Sequence, residues 1–330
     1  MRSPAPLVMR CTRILPLLLL SLLAPGVQAL PVASRTLLLD ATQAGEAIVA
    51  VGERGTILRS VDQARTWVTA QNPSAAALTG VSFGDAQHGW AVGHDAIILA
   101  TTDGGVSWTR QWQGENLSDS FLDVLALDAT HVIAVGAYGL CLKTTDAGRT
   151  WTRQRILEDD YHLNHLTRGP TGTLYLAGEH GTLLRSTDRG TTWSPIPTPY
   201  DGSFYGILPL GERRILAYGL RGRVYRSEDD GGTWQLVTTP EPVLLATGVQ
   251  TTSGAILLAG GARGLVVATG AGGEFSRRDV GVATGIAELL LLPGEALLAV
   301  GEAGAIRLEA AQIQSAITPA GAPTSAHPQR

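Results

Sequence analysis

Six aromatic residues stand at nearly equal intervals along the chain. Trp67, Trp108, Trp151, Trp193, Trp234 and Phe275 are separated by 41, 43, 42, 41 and 41 residues. A period near 42 marks a repeat architecture, in which one unit cannot bury its own apolar faces and must stack on its neighbours. The residues before each aromatic repeat too: SVDQARTW, TTDGGVSW, TTDAGRTW, STDRGTTW, SEDDGGTW and a worn copy, ATGAGGEF. A second marker precedes each at a steady distance: VGERGTIL, VGHDAIIL, VGAYGLCL, AGEHGTLL, YGLRGRVY and GGARGLVV, with a seventh, VGEAGAIRL, near the end. Its leading glycines are read as Gly52, Gly93, Gly136, Gly178, Gly219, Gly261 and Gly301. Seven markers imply seven units.

Each unit reads as four short strands. In the second, LTGVSF, WAVG, IILATT and WTRQW are strand-like runs, separated by the turn signals GDAQHG, HDA and DGGVS. Four strands repeating every 42 residues predict an all-β fold, a seven-bladed β-propeller of four-stranded antiparallel blades. The last unit lacks the acidic turn and tryptophan after Arg307. Either QIQSA, from Gln312, forms its fourth strand, or the N-terminal segment supplies one.

Residues 1–29 read as a secretory signal peptide. Arg2, Arg10 and Arg13 precede an apolar run from Ile14 to Ala24, and Val27-Gln28-Ala29 offers a cleavage site. The expected organisation is a leader over 1–29, a propeller over 30–317 and a disordered Pro/Ala-rich tail over 318–330. An exported or periplasmic location follows. Three of the 25 basic residues lie in the leader, leaving 22 against 29 acidic ones, a formal charge of −7. That balance argues against nucleic-acid binding. Without Cys11 of the leader, Cys141 is the only thiol, so no internal disulfide is expected.

The acidic turns invite a catalytic reading, since SEDDGGTW sets paired carboxylates beside an indole. Repetition around a ring argues otherwise. Asp62, Asp103, Asp146, Asp188 and Asp229 are expected to accept backbone N–H groups in the hairpin before the fourth strand. Trp67, Trp108, Trp151, Trp193 and Trp234 then pack between sheets.

As they stand in TTDGGVSW and STDRGTTW, these turns resemble the Asp-box or BNR repeat. With the V-G-x-x-G-x-I-L element, residues 36–310 are similar to the photosystem II stability/assembly-factor family of seven-bladed propellers, which has relatives in non-photosynthetic bacteria. The resemblance implies a monomeric, non-catalytic exported scaffold that binds protein partners and helps assemble or stabilise a membrane protein complex, without cofactor.

Strand alternation sets the G-x-x-G turns on the face opposite the acidic turns. Their variable residues form the candidate partner surface: Glu53, Arg54, His94, Asp95, Tyr138, Glu179, His180, Arg221, Arg263 and Glu302. Arg54, Arg221 and Arg263, from units one, five and six, are expected to lie on one arc suited to carboxylates. His162 and His165, near Asp159 and Asp160, are three residues apart, on opposite sides of an extended chain, so no metal site is expected. Leu39, Gly80, Asp123, Asn164, Gly206, Gly248 and Glu288 are read as the column lining the axis. Asp123 and Glu288 leave a glycoside hydrolase as one alternative; a glycan-binding module, with Trp90 and Trp112 as spare aromatics, is another.

Overall fold

The computed structural model describes residues 36–261, 264–268 and 273–318. Their strands form seven antiparallel sheets, each following chain order from an inner to an outer strand. The inner strands are Leu38–Ala44, Leu78–Phe83, Phe121–Ala126, Leu163–Arg168, Phe204–Pro209, Leu245–Gln250 and Ile286–Leu291. We number the sheets as blades 1 to 7 in that order. In every second strand, such as Ala47–Gly52 (AIVAVG), all residues are buried, because adjoining blades cover both faces.

The leading glycine of each turn marker ends a second strand at a close backbone crossing. A Cβ on Gly52 would lie 2.1 Å from Leu37 O, one on Gly93 2.0 Å from Ala77 O, and one on Gly136 2.1 Å from Ser120 O. At each crossing the next residue donates its N–H to that carbonyl, as in Glu53 to Leu37 (3.0 Å) and Ala137 to Ser120 (2.9 Å). The turn is thereby tied to the segment entering its own blade. In blade 6 the crossing residue is Gly260, whose Cβ would meet Leu244 O at 2.1 Å, one position before the Gly261 read from the sequence. The doubled glycine hides the register, and only the contact separates the two.

At the opposite end, each Asp turn closes a hydrogen-bonded knot. The Asp103 Oδ1 accepts from Val106 N–H (3.1 Å), Ser107 N–H (3.0 Å) and the Thr101 hydroxyl (2.7 Å), while Oδ2 accepts from the Ser107 hydroxyl (2.6 Å). Asp62, Asp146, Asp188 and Asp229 repeat the arrangement with Thr66, Thr150, Thr192 and Thr233. The tryptophan that follows packs across the seam to the preceding blade. Trp108 is buried against Val49 of blade 1, and Trp234 donates to Pro197 O of blade 4 at 2.9 Å. Basic side chains on third strands bind the seams in the other direction. Arg59 donates to Gly104 O (2.8 Å) and Arg185 to Asp230 Oδ2 (2.7 Å).

The ring closes between blades 7 and 1. Leu292, Ala296, Leu298 and Val300 pack with Leu38, Ile48 and Ala50, Trp67 lies against this cluster, and Arg307 donates to Gln63 O at 2.8 Å. Among the described residues blade 7 has three strands, not the four expected. Gln312 to Ala316 lie in a helix, Ala310–Ile317, which begins with a reciprocal Glu309–Gln312 cap. Its buried Ile313, Ala316 and Ile317 join the apolar cluster of blades 6 and 7, and Ala316 O accepts from Arg278 Nε at 2.9 Å. In AAQIQSAI the apolar residues recur at helical spacing, so the segment can bury one stripe as a helix. The helix fills the seam that a tryptophan fills elsewhere. No helix among the described residues is long and apolar enough to cross a membrane. The segments expected as a leader, 1–29, and as a disordered tail beyond Thr318 lie outside the described residues.

Replacing Ile313 with Ala should lower unfolding free energy by about 2–5 kcal/mol, the usual cost of emptying a buried aliphatic site. Exposed Gln314→Ala on the same helix should stay within about 0.5 kcal/mol of wild type in urea titrations.

Candidate functional site

Two regions carry polar side chains without an obvious packing role: the axis of the ring and the face formed by the G-x-x-G turns.

At the axis, every inner strand contains a bulge, between Leu38 and Asp40 in blade 1 and between Leu163 and His165 in blade 4, for example. An added residue shifts which side chains reach the axis. The equivalent positions are Asp40, Gly80, Asp123, His165, Gly206, Thr247 and Glu288. Leu39, Asn164 and Gly248 of the sequence-derived column are therefore each one position out. Asn164 instead donates across a seam to Phe204 O at 2.8 Å.

The axial carboxylates are cross-blade acceptors. Asp40 accepts from Ala41 N–H (2.7 Å) and from Val81 N–H of blade 2 (2.7 Å). Asp123 accepts from Val124 N–H (2.7 Å) and from Leu166 N–H of blade 4 (2.6 Å). Thr247 plays the same part with Leu289 of blade 7 at 3.1 Å. Burial pushes the Asp123 carboxyl up to about 7 against the pull of its two N–H donors. Burial also raises Asp40, with repulsion from Asp123 adding to it, and raises Glu288, with repulsion from Asp40 and Asp123 adding to it. His165, with its Nδ1 unpartnered, is held down to about 4 by burial. The Tyr218 ring fills the space that Gly206 leaves, 2.4 Å from where its Cβ would stand. With both oxygens of Asp40 and of Asp123 already engaged, the axis is a brace between blades.

On the turn face, the second variable residue adopts a left-handed conformation in five blades: Arg54 (φ 55°), Asp95 (57°), Tyr138 (55°), His180 (50°) and Arg221 (58°). Such a backbone costs a side chain-bearing residue roughly 1–2 kcal/mol, and it turns each side chain outward. Arg54 is 86% exposed with Glu53 4.0 Å away. Glu53, Glu179 and Glu302 fold back toward backbone N–H groups of Leu37 (3.4 Å), His162 (2.9 Å) and Gly285 (3.3 Å). His94 bonds the Ser120 hydroxyl at 2.8 Å. Arg263 lies outside the described residues.

The charges on this face are not evenly spread. In blade 5, Arg221 and Arg223 are exposed beside a groove of about 370 Å³ lined by Leu236, Pro240, Glu241 and Pro242. Glu241 is taken up by Arg277 at 2.6 Å. Arg223 is not among the residues expected on this surface, although it stands one residue beyond the second glycine of YGLRGRVY. Blades 3 and 4 present rings instead. Tyr138 meets His162 edge-on at 4.9 Å between centroids, and Tyr161 stacks on His180 at 4.5 Å. His162 lies 3.6 Å from a Glu179 oxygen, on the turn face, whereas His165 reaches the axis. The pair does not converge, and no group of three or more metal-ligating side chains occurs among the described residues.

The family model for the photosynthesis system II assembly factor YCF48 matches residues 59–158 and 109–246. Among solved structures, YCF48 bound to a D1 peptide superposes with a TM-score of 0.69 at 21% identity, over 83% of this chain and 93% of that one. YCF48 from Cyanidioschyzon merolae gives 0.69 at 15% identity, over 83% and 96%. An ancestral GH74 enzyme gives 0.65 at 13%, over 83% of this chain and 44% of that chain. No curated protein matches the chain.

The axial carboxylates generate a pH test. The folded state keeps the Asp123 proton to about pH 7, whereas the unfolded chain releases it near 3.8. The folded state therefore binds more protons between these values, and stability from this source is full below pH 4 and lost as pH rises through 7. Asp146 and Asp229 act in another window. Donors led by the Thr150 and Thr233 N–H groups hold them down at about 2, so their contribution is lost only as pH falls from about 4 toward 2. Asp123→Asn should lessen the decline in urea-unfolding stability between pH 4 and 7, to which Asp40 and Glu288 also contribute, and leave the acid limb unchanged.

Proposed function

The chain belongs to the photosystem II assembly factor YCF48 family, and on that premise we propose that it is an exported, non-catalytic scaffold. In this reading it holds an extramembrane segment of a membrane-protein subunit on its G-x-x-G face while a complex is assembled. The observation that carries the reading is the family match, supported by a structure of a YCF48 protein with a peptide of D1 bound. Here the client would be a peptide segment bearing carboxylates. Arg221 and Arg223 have no acidic partner among the described residues and flank a groove with apolar walls at Leu236 and Pro240. Guanidinium groups bind carboxylates through two parallel hydrogen bonds, which suits such a groove. Arg54, exposed on the same face in blade 1, would extend the contact.

Hydrolysis is the weaker reading. General acid–base work needs carboxylates free to exchange protons with substrate. Those at the Asp turns are saturated by their own hairpins, and those of Asp40 and Asp123 at the axis by backbone N–H groups.

The test is capture of a membrane complex from detergent-solubilised membranes of the source cells. Arg54→Glu combined with Arg221→Glu should reduce capture at least ten-fold and shift thermal unfolding by less than about 2 °C, as expected for exposed substitutions. Capture that survives both changes removes the arginine surface from the reading. Hydrolysis of any member of a glycoside panel, lost in Asp123→Asn, would replace the scaffold with an enzyme.

A further inference from the structure

The turn face is divided in charge and chemistry, and its arginine groove occupies only one part. Over blades 2 to 4 the exposed charged side chains of this face that carry no ion pair among the described residues are acidic: Asp95, Glu115, Asp159 and Asp160. The basic residues nearest them in sequence, Arg153 and Arg155, are turned to Asp119 at 3.9 Å and Glu158 at 3.4 Å. Asp159 and Asp160 carry no ion pair among the described residues. They border the turn that presents Tyr138, since a Cβ on Gly139 would lie 3.6 Å from Asp159 O and 3.8 Å from the Asp160 Cα.

Tyr138 is the unusual member of this group. It is 66% exposed and held in the left-handed region at φ 55°, where a bulky side chain is strained. It meets His162 with the two ring planes at 87°, His162 is itself tied to Glu179, and Tyr161 and His180 continue the aromatic surface into blade 4. A ring with a free face, fixed beside uncompensated carboxylates, is suited to a cation. The ring quadrupole attracts guanidinium or ammonium, and the carboxylates add counter-charge.

We infer that the shelf around Tyr138, Asp159 and Asp160 binds an arginine- or lysine-bearing segment of a protein partner. This rests on the scaffold reading and extends it: the client carries a basic stretch as well as an acidic one. Opposed charges on the two halves of the face would fix the direction in which the segment lies, because reversal sets like charges together.

Fluorescence anisotropy with the full chain tests the inference, using a labelled, capped (Gly-Arg)4 peptide and a (Gly-Glu)4 peptide as control. The arginine peptide should bind at least ten-fold more tightly than the glutamate peptide. Tyr138→Ala and the double variant Asp159→Asn/Asp160→Asn should each weaken it at least three-fold, while Tyr138→Phe retains affinity. Thermal unfolding of each variant reports whether the fold is intact. Equal affinity for the two peptides overturns the inference. So does arginine-peptide binding that Tyr138→Ala leaves intact, which would mark unspecific attraction to an acidic protein. Arg221→Glu, which adds negative charge, should not weaken this binding, so loss of client capture in that variant and loss of arginine-peptide binding in Tyr138→Ala fail separately.

Discussion

The architecture depends on a contact made where a glycine ends the second strand of each blade. There the backbone entering the blade passes so close that any Cβ would collide with a carbonyl oxygen, at 2.0–2.5 Å in all seven blades. The N–H group of the next residue then bonds that same carbonyl. This crossing does two things at once. It anchors the segment that connects one blade to the next, and it fixes the backbone of the turn whose side chains face outward. Stability and display arise from one constraint, so the glycines recur while their neighbours vary.

The blades are joined by three further sets of interactions at different radii. Near the axis, Asp40, Asp123 and Thr247 accept N–H groups from the following blade. In the mid-sheet, second strands buried on both faces supply the apolar seams. Farther out, each Asp turn and its aromatic meet the previous blade, with Arg59, Arg185 and Arg307 reaching the other way. The axial set keeps carboxylates where burial favours the neutral acid, and the backbone donors only partly offset that cost. The outer set has carboxylates saturated by hairpin donors, which favour the charged form. One residue type thus serves two opposed electrostatic roles, set by radius.

Because structural duties absorb the aspartates of the turns and Asp40 and Asp123 at the axis, the face bearing the G-x-x-G turns is left as the chemically open surface. It offers arginines on blade 5 and aromatic rings with carboxylates on blades 3 and 4. A rigid ring presenting separate patches suits the holding of an extended segment, where recognition rests on the spacing of contacts.

The repeat period, the seven markers and the apolar second strands were legible in the sequence, because each is a local requirement repeated in every unit. So was the face on which the variable turn residues lie, since strand alternation alone decides it. The axis column was only partly legible. A bulge is a mismatch between two strands, and nothing in LLDAT or LNHLT announces which residue it displaces. Gly261 was read for Gly260 for the same reason: the collision that requires glycine comes from Leu244, distant in sequence. The last blade was decided by packing. QIQSA can be written as strand or helix, and the seam between blades 6 and 7 favours the helix, whose Ile313 and Ile317 bury together on one side. What local chemistry must satisfy within a unit is written in the chain. Which partner a residue meets across units is settled only when the ring closes, because that choice depends on register and distance between segments far apart in sequence.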